Sequence, residues 1–138
     1  MVLIQDETSG ICLIEYKNPL VFKYTNMEDL FSGFVAAIQK VSEELQIGSL
    51  TEISTEGSCE DGVHGHHCII YREEPINVII ILDDYKEHKP IEFWKEKAKE
   101  VAWHFLSQFR EAYNPNYISR FEAFLPDLKE IVTSENII

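Results

Sequence analysis

A chain of 138 residues with 45% hydrophobic and 26% charged side chains is large enough to form one domain around its own core. Its 24 Asp and Glu against 12 Lys and Arg leave a formal net charge of -12, which argues against direct binding to nucleic acid or to anionic membrane surfaces. The three cysteines, Cys12, Cys59 and Cys68, are an odd and sparse set that fits a reducing cytoplasm better than a disulfide framework.

The opening MVLIQDETSG has too short an apolar start for a signal peptide or a membrane span, and residues 1–9 read as a flexible N-terminus. GICLIEYKNPLVFKY then predicts a hairpin. Ile11, Leu13 and Tyr16 lie on its first strand, Val21, Phe22 and Tyr24 on its second, and KNP supplies the turn. Pro19 at the start of the second strand suits an edge position.

TNMEDLFSGFVAAIQKVSEELQ predicts a helix. Thr25 or Asn26 can cap it, and Thr25 with Glu28 has capping-box spacing. Leu30, Phe34, Ile38, Val41 and Leu45 recur at three and four residues, which predicts a core-facing stripe. Gly33 inside the helix costs about 1 kcal/mol relative to alanine, a loss expected to be offset by close packing on a sheet. Gly48 is placed to terminate the helix as the residue beyond its cap.

SLTEIST, HCIIYRE and VIIILDD predict three further strands, with a turn at EEPIN. The apolar run Val78–Leu82 implies a strand buried on both faces and therefore helices on both sides of the sheet. A long helix starts near Pro90, runs to about Tyr113 and carries the stripe Trp94, Ala98, Val101, Ala102, Phe105 and Phe109. After YNPN, a last helix carries Ile118, Phe121, Leu125, Leu128 and Val132, with a kink or restart at Pro126 and a frayed tail at 134–138. No repeat or linker divides the chain, so one domain spans 1–138.

No nucleophile elbow, phosphate-binding glycine loop, dinucleotide fingerprint or His-Glu-x-x-His motif is present, and no catalytic residue or cofactor is expected. Asp83 and Asp84 could offer carboxylates to Mg²⁺ but read as a solvated strand end. The segment SCEDGVHGHHCIIY holds Cys59, His64, His66, His67 and Cys68, yet its spacing matches no zinc-site pattern. Strand alternation puts His66 and Cys68 on one face and His67 on the other, so no metal ligand is assigned. Metal binding by the 59–68 region stays open as a minor alternative. Partner surfaces are expected where apolar residues leave the core stripes: Phe31 and Val35 on the first helix, Phe93 and Trp103 on the second.

The order strand, strand, helix, strand, strand, strand, helix, helix makes this an α+β chain that resembles the longin domain. The resemblance is carried by the opening meander GICLIEYKNPLVFKY, by DLFSGFVAAIQKVSEEL and by IIYREEPINVIIILDD, which is similar to the last two longin strands. In texture the chain resembles stand-alone archaeal longin-like proteins. The related roadblock fold begins with a helix, whereas here a hairpin comes first. The resemblance implies a five-stranded antiparallel sheet in an α/β/α sandwich, with one helix on one face and two on the other. It also implies a non-enzymatic binding module for small GTPases, SNARE-type helices or other longin or roadblock subunits in membrane traffic. Such a module is cytoplasmic, reaches membranes only through partners, and can form a homodimer through sheet edges or the first helix. A roadblock-type homodimeric scaffold regulating GTPases is the alternative.

Overall fold

The computed structural model describes residues 1–16, 28–48, 51–55, 66–83 and 90–133, with backbone alone at 28–31, 54–55, 66, 83 and 133. Five strands, β1 (Val2–Asp6), β2 (Cys12–Tyr16), β3 (Glu52–Thr55), β4 (His66–Glu73) and β5 (Ile76–Asp83), form one antiparallel sheet in the order β2-β1-β5-β4-β3. Helix α1 (Glu28–Glu44) follows β2 in the chain, and α2 (Ile91–Phe109) and α3 (Leu125–Thr133) follow β5. Two 3-10 segments, Arg110–Ala112 and Ile118–Phe124, lie between α2 and α3.

β5 is the middle strand, and its uniform apolar sequence follows from that position. Val78, Ile80 and Leu82 share a core cluster with Trp94, Phe105 and Leu128, while Ile79 and Ile81 cluster with Leu3, Ile70 and Val35. Helices therefore cover both faces, with α2 and α3 on one and α1 on the other.

The flexible N-terminus expected at 1–9 is instead the strand β1, with Val2, Leu3 and Ile4 fully buried beside β5. A five-residue strand covered on both faces has no alternation to read, so periodicity misses it. The first hairpin is thus β1 with β2, and the expected partner strand at Val21–Tyr24 lies outside the described residues, as do the capping candidates Thr25 and Asn26. The Asp6 carboxylate shapes the connecting turn. Its Oδ2 accepts hydrogen bonds from the Ser9 amide at 2.8 Å and the Ser9 hydroxyl at 2.7 Å, and its Oδ1 accepts from the Tyr113 hydroxyl. Burial alone would raise the Asp6 pKa, but the hydrogen bonds from Tyr113 and Ser9 together hold it below the ordinary carboxylate value.

α1 sits the other way round from expectation. Ser32, Val35, Gln39 and Ser42, spaced by three and four residues, face inward, while Phe34, Val41 and Leu45 of the predicted core stripe are exposed and Ile38 is half-buried. Small inward side chains let the helix come close to the sheet. Gly10, at φ 75°, shows how close: a Cβ there would sit 2.7 Å from the Ala36 Cβ. Gly33, by contrast, has open space where a Cβ would point, so the packing expected of it is made by Gly10 and Ser32 instead. Gly33→Ala is accordingly expected to stabilise the fold by about 0.5–1 kcal/mol, read as a raised urea midpoint with an unchanged slope.

The end of α1 also differs from expectation. Gln46, not Gly48, takes the left-handed position next to the helix, at φ 60°. The Ile47 amide donates to the Ser42 carbonyl at 3.2 Å and the Gln46 amide to the Glu43 carbonyl at 3.1 Å, a Schellman closure.

On the opposite face the sequence stripe holds. Trp94, Ala98, Val101, Ala102 and Phe105 of α2 are buried, and Phe109 is half-buried against the same core. The chain restarts at Pro126, with a 3-10 segment ending at Phe124 and α3 beginning at Leu125. Ile118, expected inside, is exposed at the start of the 3-10 segment, whereas Phe124 is buried three residues after Phe121, the spacing at which 3-10 side chains share a face.

Candidate docking surfaces

Two outward apolar features dominate the described surface. The first is the α1 stripe, where Phe34 is 53%, Val41 51% and Leu45 64% exposed, with Ile47 just beyond the helix. Phe34, Ile38, Val41 and Leu45 are spaced by four, three and four residues, the spacing that another helix reads as a seam. At the C-terminal end Glu43 and Glu44 stand with no basic residue in the last turn, an arrangement opposed to the helix dipole. Glu43 is met by Arg72 of β4 at 2.7 Å, but Glu44 remains on the exposed face.

The second feature is Trp103 on α2, 67% exposed and held edge-on by His104 at 4.9 Å. It borders a cavity of about 500 Å³ between α2 and the end of β4, lined also by Tyr71, Lys99, Leu106 and Arg110. The Tyr71 hydroxyl donates to Glu73 at 2.8 Å, and burial together with that acidic neighbour raises its pKa. A shallower groove of about 720 Å³ follows the edge strand β2, between Leu13 and Ile14 on one side and Ile118, Leu125 and Pro126 on the other.

Of the four residues expected at partner surfaces, Trp103 is on the surface. Val35 is not: it is fully buried and is the one large apolar side chain that α1 gives to the described core on its face. Phe93 is half-buried, packed edge-on against Trp94 at 4.9 Å with Lys97 over its ring, so it belongs to the rim of the core. Phe31 lies on α1, but its side chain is outside the described residues. Phe34, Val41 and Leu45, expected in the core from their spacing, are surface residues. The competing inward stripe was present in the spacing of Ser32, Val35, Gln39 and Ser42, but hydrophobicity alone ranks it second.

Cys59, His64 and Asp84 lie outside the described residues, and of His66 and Asp83 only the backbone is described. Among the described residues no three His, Cys, Asp or Glu side chains are grouped to hold a metal ion. Cys68 is buried, and burial pushes its thiol pKa up to about 12, which leaves it protonated and unreactive at neutral pH. Among the described residues no helix is long and apolar enough to cross a membrane. No family model, curated protein or solved structure matches this chain.

Proposed function

We propose that the chain is a longin-like protein-interaction module, cytoplasmic and non-enzymatic, that serves small GTPases or membrane-traffic-type assemblies as an adaptor or regulator. The observation that carries this reading is the outward stripe of α1: a helix that turns Phe34, Val41 and Leu45 to solvent has spent its best core residues on a surface. The hairpin-first order of elements supports the longin side of the reading over the roadblock side. The occupant we assign to the stripe is an amphipathic helix of the partner, a small GTPase or another longin or roadblock subunit. Seam spacing favours a helix, and the acidic last turn favours basic residues flanking it.

The test is capture of small GTPases loaded with GDP or GTP, and of longin and roadblock subunits, by the chain and by a Val41→Glu, Leu45→Glu variant. Both positions are exposed, so the variant should stay within about 0.5 kcal/mol of the parent in stability. Binding should weaken at least about a hundredfold, as expected for charges placed in the centre of an apolar contact. Equal capture by parent and variant would remove α1 from the interface.

A further inference from the structure

The two stripes of α1 stand one residue apart. Phe34, Ile38 and Val41 of the outward stripe are each followed directly by Val35, Gln39 and Ser42 of the inward one. One residue of an α-helix is a turn of about 100°, so a single rotation about the helix axis exchanges the two faces. The inward face is the more polar of the two, with Ser32, Gln39 and Ser42 buried beside Val35. The sheet face that receives it is apolar, built from Leu3, Cys68, Ile70, Ile79 and Ile81. Apolar burial alone would therefore seat Phe34, Ile38 and Val41 against the sheet.

Polar contacts at both ends of the helix oppose that. Near its start, Gln5 Nε2 of β1 donates to the Ser32 carbonyl and to the Ser32 hydroxyl, both at 2.7 Å. The Ser32 hydroxyl in turn donates to the Gly10 carbonyl at 2.7 Å, and Asn77 Nδ2 steadies Gln5 by donating to its Oε1 at 2.9 Å. Near the end of α1, Glu43 pairs with Arg72 of β4 at 2.7 Å, and the same guanidinium holds Glu7. Gln5 and Ser32 are fully buried, so a rotated helix leaves the Gln5 amide without these partners. The apolar stripe and the polar contacts pull α1 toward different rotations, and each is satisfied at the expense of the other.

We infer that α1 is a two-position element, whose second position is turned by about 100° so that Phe34, Ile38 and Val41 lie on the sheet and Ser32, Gln39 and Ser42 are carried off it. The polar contacts make the outward-stripe position the major one. The larger side chains of the second position also lift the helix from the β1–β2 turn, where Gly10 now lets Ala36 come close. Rotation hides the apolar stripe, so α1 closes its own docking face; that consequence rests on the function proposed above, whereas the rotation does not. A partner that binds the stripe selects the outward position, and its apparent affinity falls with the fraction of α1 turned inward.

4-Fluorophenylalanine at position 34 of the full chain reports the rotation, with relaxation of its fluorine by a dissolved gadolinium chelate as the measure of exposure. Ser32→Ala removes the hydroxyl contacts with Gln5 and Gly10 and should lower that relaxation at least about twofold. Adding Val41→Glu and Leu45→Glu, whose charges cannot face an apolar sheet, should return it to the parent level. Should Ser32→Ala not fold, Arg72→Gln takes its place, because it releases Glu43 and should lower the relaxation in the same way. Relaxation that is unchanged or increased would overturn the inference, an increase being the mark of a helix that frays rather than turns. So would a decrease that the two glutamates do not reverse. None of these measurements involves a partner, so the rotation and the docking reading stand or fall separately.

Discussion

Phe105→Ala should destabilise the chain by about 3–5 kcal/mol, whereas Phe34→Gln should change stability by less than about 0.5 kcal/mol. Both phenylalanines lie on apolar stripes of helices, and the expected difference comes entirely from which way each stripe faces. Phe105 is fully buried and joins α2 to the C-terminal segments, with its ring 5.0 Å from Phe109, 5.3 Å from Phe121 and 5.4 Å from Phe124. Truncating it removes three aromatic contacts at once and leaves a cavity that backbone segments from two sides would have to close. Phe34 has over half its surface in water, and glutamine keeps the helix propensity. Urea unfolding of both variants is the measurement. Comparable losses at the two positions would mean that α1 packs its apolar stripe inward, and would withdraw the docking face with it.

That comparison also marks where the sequence was legible. On α2 a single apolar stripe competes with charged residues, so period and burial agree from Trp94 to Phe105. On β5 the run from Val78 to Leu82 could only belong to a strand covered twice, and it lies at the centre of the sheet. α1 carries two stripes at helical spacing, and burial chose the one with the smaller side chains. Hydrophobicity cannot predict that choice. It is decided by the distance to the sheet, which Gly10 permits, and by the buried polar contacts of Ser32 with Gln5. The small groove between α1, the β1–β2 turn and the start of β5 was illegible for the same reason. Glu7, Lys40, Arg72 and Asn77 are scattered through the sequence, and only the register of β1 against β5, which sets Gln5 opposite Asn77, brings their elements together.

Stability should rise steadily between about pH 5 and pH 7, by roughly 2–3 kcal/mol, and the group responsible is the α-amino group of Met1. This nitrogen is buried, donates to the Ile81 carbonyl at 3.1 Å, and has its pKa lowered by burial from 8.0 to about 4. Between those two values the unfolded chain carries a proton on the amine that the folded chain lacks. The unfolded state therefore binds more protons, and stability increases with pH across the window. Asp6 acts lower down. Its folded pKa is depressed, so its contribution is complete above the ordinary carboxylate value and is lost only as pH falls through the folded value. A one-residue N-terminal glycine extension isolates the amine, because it turns the Met1 nitrogen into an amide that still donates to Ile81 but does not titrate in place. The extended chain should lose the slope between pH 5 and pH 7 and should be the more stable of the two at pH 5. Urea midpoints collected across that range for both chains decide the matter. Parallel profiles would mean that the amine reaches water in the folded state, and that the first residue of β1's ladder with β5, where the Ile81 amide donates to the Met1 carbonyl at 2.8 Å, is open rather than sealed.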